Sequence, residues 1–230
     1  MAWLMVHLTV SRNTAVSLDA DWQMPDLMTG SIAPDSVHEH PGWDRRMKNR
    51  FHLRRVHEPL GRRFHRAQLF WERFGSSNID GLVAGWVSHV VTDWLWTRHF
   101  ARYFLTEFLP SVDRTELVRL WNHECKVSDA ALGEANGIRI ELLEDLTNGR
   151  PKAIPGYADS QAIERWRVGS LAREYEDRGN PSDQVGYLTK ERIQRFIELA
   201  TSVCAMGFDA GFCDAYESIV ARTDANALLH

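Results

Sequence analysis

The sequence predicts an all-α protein made of several helices. Apolar residues recur at helical spacing along most of the chain, strand signals are few, and clusters of Gly and Pro separate the periodic stretches. The 230 residues are 44% hydrophobic and 25% charged, which is an ordinary globular composition. A chain of this length buries a substantial core. We therefore predict a single all-α domain over residues 1–230.

Helical periodicity places seven stretches of helix along the chain. They are predicted at Ala2–Leu18, Arg45–Phe74 (with a break at Pro59–Gly61), Ile79–Leu109, Asp113–Glu124, Asp129–Thr147, Ser160–Glu176 and Thr189–Thr223. The stretch Asp21–Trp43 is predicted to be irregular because it contains three prolines and two glycines. Loops are predicted at Asn148–Gly156 and Asp177–Asp183, which are rich in turn-forming residues.

Cysteine usage and terminal composition bear on the compartment. Three cysteines with no paired short-range motif argue against a disulfide framework. The first residues lack a basic region followed by a long apolar core, so no signal peptide is predicted. The apolar run from Gly81 to Thr92 is too short to span a bilayer. We predict a soluble, cytoplasmic protein without a transmembrane segment.

The apolar stretch Gly81–Trp96 contains a pattern typical of a metal site. His89 and Asp93 are four residues apart and therefore share one face of a helix. A carboxylate buried among Trp and Val is unfavourable unless a divalent cation or another group pairs with it. On a straight helix, His99 lies about 9 Å in rise beyond Asp93 and about 15 Å beyond His89. This spacing indicates adjacent ions rather than one ion shared by both histidines.

The N-terminal third supplies complementary residues. His7, Asp35 and His52 extend the pattern to a mixed set of imidazoles and carboxylates. Such a set fits zinc, with manganese or iron as alternatives. A basic segment, Asp44–Arg66, carries a net charge of +7, so the rest of the chain carries −11. That segment is either a surface that meets phosphate groups or a solvated helix face.

The order of these motifs resembles a known family. Gly30-Ser-Ile-Ala-Pro-Asp35, Phe51-His52 and Gly85-Trp-Val-Ser-His89-Val-Val-Thr-Asp93 are similar to motifs of bacterial zinc-dependent phospholipase C, whose fold the fungal single-strand-specific zinc nucleases share. The matching residues, mainly within residues 1–130, are His7, Asp35, His52, His89, Asp93 and His99. The first eight residues resemble the small intracellular bacterial members. The resemblance implies a multi-helix fold and a phosphoester hydrolase that uses a metal-activated water.

The resemblance also implies roles for individual residues. Asp35, His52, His89 and Asp93 would bind one zinc, and Asp93 would bridge to a second zinc held by His7. His99 matches the first ligand of the remaining zinc, which the family completes with an HxxxE pair. The secreted members of the family also use a free N-terminal amine as a ligand. At the place of the HxxxE pair, this chain has Asn122–Asp129, where His123 and Asp129 offer ligand chemistry without such a pair. We therefore expect one or two ions instead of three.

The same resemblance gives Asp35 a catalytic part, in which it orients or deprotonates the attacking water. Lys48, Arg50 and Arg54 are the candidates for binding a substrate phosphate. The predicted partner is a small phosphoester whose identity the sequence leaves open.

Three alternatives remain beside the hydrolase. The first is a degenerate family member that keeps a structural metal and serves as a binding protein. The second is the helical His-Asp phosphohydrolase class, which is disfavoured because the chain has no adjacent His-Asp pair. The third, also not favoured, is nucleic-acid binding through Asp44–Arg66, which predicts a steep salt dependence without metal.

Overall fold

The protein is all-α, as predicted. A computed structural model describes residues 3–75, 80–108, 112–135, 137–176, 179–183 and 185–224. Within these ranges there are eleven α-helices and no strand. The helices are α1 Leu4–Ser17, α2 Met24–Gly30, α3 Arg45–Phe51, α4 Leu60–Phe74, α5 Asp80–Trp96, α6 Arg102–Phe108, α7 Arg114–Ala135, α8 Arg139–Asn148, α9 Ser160–Glu176, α10 Lys190–Asp209 and α11 Phe212–Ala215. A 3-10 segment spans Ala33–Glu39, and π-helical segments span Thr97–Ala101 and Tyr216–Val220.

Helix α5 lies at the centre of the core. Every residue from Gly81 to Trp96 is buried, and helices α1, α2, α4 and α10 pack around it. A helix that is apolar on all faces is stable only when neighbours cover it entirely. Even so, none of the helices in the described part of the chain has the length and apolar character needed to cross a membrane.

Two glycines bring α2 and α5 into direct backbone contact. A Cβ atom on Gly85 would overlap the carbonyl oxygen of Leu27, and one on Gly30 would overlap the carbonyl oxygen of Leu82. Side chains at these positions would push the helices apart. The close approach places Ser31 and the 3-10 segment that follows it beside the middle of α5. It thereby sets the geometry of the site described below.

The predicted irregular stretch Asp21–Trp43 is largely helical, and the prediction was wrong there. Helix α2 and the 3-10 segment Ala33–Glu39 each carry a proline in the first turn, at Pro25 and Pro34. A proline is tolerated at the start of a helix because the first backbone N–H groups have no helical acceptor in any case. These prolines start helices instead of breaking them.

Helix boundaries also differ from prediction in the second half of the chain. Helix α7 runs through residues 125–128, where two separate helices were predicted, and the chain turns at Gly137, which has φ +62°. The predicted helix Thr189–Thr223 is divided after Asp209 by Gly211, with φ +113°. Glycine adopts such left-handed angles without the steric cost of a Cβ atom and is common just after the end of a helix, which explains both interruptions.

Candidate metal centre

Five of the residues singled out from the sequence converge in one buried cluster, called here the His/Asp cluster. It consists of His7 on α1, Asp35 in the 3-10 segment, His52 at the end of α3, and His89 and Asp93 on α5. The most exposed member, Asp35, is only 8% accessible. Potential ligand atoms lie within 4.8 Å of one another in two groups that share His89, namely His7–His89–Asp93 and Asp35–His52–His89.

Backbone carbonyl groups orient two of the histidines. The Nδ1 atom of His89 lies 2.8 Å from the carbonyl oxygen of Ser31, and that of His52 lies 3.1 Å from the carbonyl oxygen of Lys48. Since a carbonyl oxygen only accepts, Nδ1 carries the proton in each ring. The Nε2 lone pairs then face the cluster. Histidines that bind metals are typically held in this way.

The two carboxylate oxygens of Asp93 face different histidines. One oxygen lies 3.6 Å from Nε2 of His7, while the other lies 3.5 Å from Nε2 of His52 and 3.9 Å from Nε2 of His89. Asp35 belongs to the second group, and one of its oxygens lies 3.3 Å from Nε2 of His52. Asp93 therefore joins the two groups of potential ligands.

The protonation states of the cluster suit a cation. Burial lowers the pKa of His7 to about 3 and also lowers that of His89, so both rings are neutral near pH 7. Their rings stack with centroids 3.9 Å apart. Burial by itself raises the pKa of Asp35, but contacts with His52, His89 and Lys48 outweigh it and hold the pKa below its usual range. Neutral imidazoles and an ionised carboxylate are the forms that bind metals.

Unsatisfied nitrogen atoms provide a further test of fit. Both ring nitrogens of His7 and Nε2 of His89 are buried without a hydrogen-bond partner among the described residues. Leaving such groups unpaired is unfavourable by roughly 1–3 kcal/mol each. A divalent cation bound by Nε2 of His7 and Nε2 of His89 removes that penalty for these two atoms, so the residues present fit a metal.

Two predicted histidines do not join the cluster. His99 is fully buried in the π-helical segment after α5, but it belongs to neither group of potential ligands. The segment replaces the straight α-helix on which its spacing from Asp93 was predicted. His123 is exposed on α7.

Asp129 is buried, and backbone N–H groups of α1 donate hydrogen bonds to its carboxylate. One carboxylate oxygen accepts a hydrogen bond from the N–H of Met5 and the other accepts one from the N–H of Val6, each at 3.0 Å. These N–H groups lie in the first turn of α1. Trp3, the N-cap residue of that helix, provides no side-chain cap. The Asp129 carboxylate, which lies on α7 and is far from α1 in sequence, thus caps α1 and complements the positive end of the helix dipole. The structure gives Asp129 a capping role in place of the predicted metal ligation.

The capping carboxylate predicts a pH dependence of stability. Burial, with a smaller effect of Glu174, raises the pKa of Asp129 from 3.8 to about 7, although the two N–H groups oppose this shift. Between pH 3.8 and about pH 7, Asp129 binds a proton more tightly in the folded protein than in the unfolded chain. The contribution of Asp129 to stability therefore falls as the pH rises. From about pH 5 to about pH 8, we expect the wild type to lose about 1–3 kcal/mol more stability than Asp129→Asn.

Urea denaturation of both proteins at the two pH values, in chelator, measures this difference. The lost hydrogen bond in Asp129→Asn lowers stability by a similar amount at each pH, and every other residue is the same in both proteins. The difference in slope therefore isolates Asp129. Equal slopes would refute the raised pKa.

The predicted phosphate-binding residues separate into two places. Lys48 adjoins the His/Asp cluster, with Nζ 3.9 Å from an oxygen of Asp35 and 3.0 Å from Nε2 of His38. Arg50 and Arg54 instead line a different cavity, to which none of the five cluster residues contributes. The basic side chains of α3 therefore face two different places, Lys48 the His/Asp cluster and Arg50 the other cavity.

A cavity of about 500 Å³ opens beside the His/Asp cluster. His7, Asp35 and His89 line it, together with residues of α7 and α9. Its volume is typical of a small-molecule site. Sequence reasoning missed most of this lining, which includes Trp3, Trp121, Lys126, Trp166 and Arg173. No local motif marks these residues, because only long-range packing brings α7 next to α1 and α9 next to the 3-10 segment.

Comparisons with protein-family models, curated proteins and solved structures give no match. The function of the site therefore rests on its own residues. These are the His/Asp cluster, its orienting carbonyl groups and the adjoining cavity.

Proposed function

We propose that the protein is a metal-dependent phosphoester hydrolase, with zinc as the metal that best matches its ligands. The observation that carries this proposal is the His/Asp cluster beside a cavity large enough for a small substrate. Within the cluster, Nε2 of His7 and Nε2 of His89 are buried without a hydrogen-bond partner among the described residues. Imidazole and carboxylate together suit zinc, with manganese or iron as alternatives. The resemblance to zinc-dependent phospholipase C, which rests on these five residues together with His99, supports a phosphoester as the substrate class.

The ligands divide naturally between two ions. Asp35, His52, His89 and one oxygen of Asp93 would hold the first, and His7 with the other oxygen of Asp93 would hold the second. His89 has one nitrogen to offer, because Ser31 engages the other. With His99 and His123 outside the cluster, one or two ions match the donors present.

The proposed reaction is hydrolysis, in which a water oxygen bonds to phosphorus as the ester P–O bond breaks. The bound metal supplies Lewis acidity, which activates water and neutralises phosphoryl oxygens. Asp35 belongs to the cluster and also lines the cavity, so its carboxylate is placed to orient the water. The Lys48 ammonium near Asp35 adds positive charge beside the reacting phosphate. The proton of the water passes to the leaving alkoxide, directly or through solvent.

Metal content and hydrolysis are the decisive measurements. In protein purified without chelator, elemental analysis is expected to find about one to two zinc, manganese or iron ions per chain. Chelation should lower the melting temperature by roughly 5–10 °C, because the metal binds only the folded state. The loaded protein is expected to hydrolyse p-nitrophenyl phosphate or its diester.

Metal without hydrolysis of any mono- or diester would favour the alternative, a binding protein with a structural metal. The near-complete burial of the five residues is the observation that favours this alternative. Absence of metal even after reloading would refute both.

A further inference from the structure

A second cavity, of about 450 Å³, is lined mainly by arginine. Six of its eleven lining residues are arginines and none is acidic; the arginines are Arg46, Arg50, Arg54, Arg55, Arg66 and Arg73. They come from α3, the loop that follows it, and α4. Phe70, Leu53 and Tyr157 contribute an apolar part of the lining. We call this space the arginine cavity.

Little negative charge compensates these guanidinium groups. Arg66 pairs with Glu58 at 2.9 Å, and Arg54 donates to the amide oxygen of Asn49 at 2.8 Å. Among the described residues, the guanidinium groups of Arg46, Arg50, Arg55 and Arg73 form no ion pair. Arg50 and Arg73 lie over the rings of the phenylalanines that follow them in sequence, which holds them in place without neutralising them.

Like charges gathered in one concavity repel one another, and a multivalent anion relieves that repulsion. The guanidinium group binds phosphate oxygens with two parallel N–H donors, which favours phosphate over a simple point anion. The volume of the cavity fits a small ligand. The charge is also local, since the chain outside Asp44–Arg66 carries −11 and is unfavourable for a long polyanion.

We infer that the arginine cavity binds a small ligand that carries several linked phosphate groups. A free polyphosphate and the triphosphate of a nucleotide share this chemistry. The site is separate from the His/Asp cluster, because none of the five cluster residues lines it. It requires neither a metal nor the hydrolase activity proposed above.

Calorimetric titration of the full chain in chelator, at about 0.15 M salt, tests this inference. Tripolyphosphate is expected to bind at least about tenfold more tightly than orthophosphate, because it engages several arginines at once. ATP is the second ligand. Affinity equal to that of tripolyphosphate indicates that the phosphates alone are recognised, whereas tighter binding indicates a nucleotide whose base contacts the apolar lining.

The double variant Arg50→Glu/Arg73→Glu should weaken tripolyphosphate binding at least about tenfold. Both residues are exposed, so the fold should tolerate the change. Arg102→Glu/Arg195→Glu is the matched control: it alters the net charge equally at exposed positions on α6 and α10 and should change affinity less than about threefold. Arg50→Lys/Arg73→Lys keeps the charge but loses the paired donors, and we expect an intermediate loss. This variant tests the site if the Glu variant does not fold.

Four results would overturn the inference. The first is equal affinity for tripolyphosphate and orthophosphate, and the second is an equal loss of tripolyphosphate affinity in the control variant. The third is tripolyphosphate binding that requires added metal and disappears in Asp93→Asn. The fourth is much tighter binding of a single-stranded oligonucleotide of about 20 residues than of tripolyphosphate. The third result would assign the anion to the His/Asp cluster. The fourth would assign the arginines to a nucleic-acid surface.

Discussion

Replacing Asp93 with asparagine is expected to remove the metal and any phosphoesterase activity while the helical fold persists. Each oxygen of Asp93 faces a different part of the cluster, so the change removes negative charge from both groups of potential ligands. An amide offers one oxygen and places an NH₂ group toward the histidines on the other side. We expect metal content to fall at least about tenfold and hydrolysis at least about a hundredfold. Elemental analysis, activity assays and circular dichroism measure these effects.

His65→Ala is the control for this variant. His65 is exposed on α4, and its Nδ1 atom lies 3.7 Å from the sulfur of Cys213, away from the cluster. Metal content and activity should not change. Retention of both in Asp93→Asn would refute the ligand assignment, and a large loss in His65→Ala would show that the site lies elsewhere.

Gly85→Ala is expected to destabilise the protein and to disturb the proposed metal site together. The new methyl group would overlap the carbonyl oxygen of Leu27 and lie 2.6 Å from the backbone nitrogen of Ser31. Alanine favours helix over glycine by about 1 kcal/mol, but overpacking against the backbone of the neighbouring helix outweighs this gain. We expect a net loss of about 2 kcal/mol and a fall in melting temperature of about 4–8 °C. Separation of the backbones would also weaken the bond from His89 to Ser31, so metal affinity should fall.

Gly81→Ala, on the same helix, provides the matched control. A Cβ atom there would meet its nearest neighbours, in Asp26 and Gln23, at 3.4 Å, which the structure accommodates with little movement. Its stability should change by less than about 1 kcal/mol. Equal behaviour of the two variants would show that close packing of α2 against α5 does not hold the site together.

Much of the candidate site follows from residue type and order. The four-residue spacing of His89 and Asp93 is a property of a single helix, so it holds wherever that helix packs. His7, Asp35 and His52 were selected by their chemistry and by the resemblance, and the structure brings all three to α5. His99, by contrast, lies in the π-helical segment that follows Trp96 and belongs to neither group of potential ligands. No local pattern in the sequence indicates that segment.

The roles of Asp129, Arg50 and Arg54 were decided by distant contacts. In the sequence, Asp129 is a candidate metal ligand. In the structure, the first turn of α1 lies against it, and two N–H groups of that turn donate hydrogen bonds to its two carboxylate oxygens. Arg50 and Arg54 lie close in sequence to His52 but line the arginine cavity together with residues of α4. A short stretch of sequence does not contain the information on which neighbour each side chain meets.

By itself, the sequence determined the all-α class, the presence of most helices and a set of candidate ligands, of which five form the His/Asp cluster. Helical periodicity and ligand chemistry act over a few residues and can be read locally. The tertiary structure alone decided that Gly30 and Gly85 let two backbones touch, that a cavity opens beside the cluster, and that arginines from α3 and α4 gather in a second cavity. These features depend on how helices far apart in the chain pack against each other, and packing is a property of the whole fold.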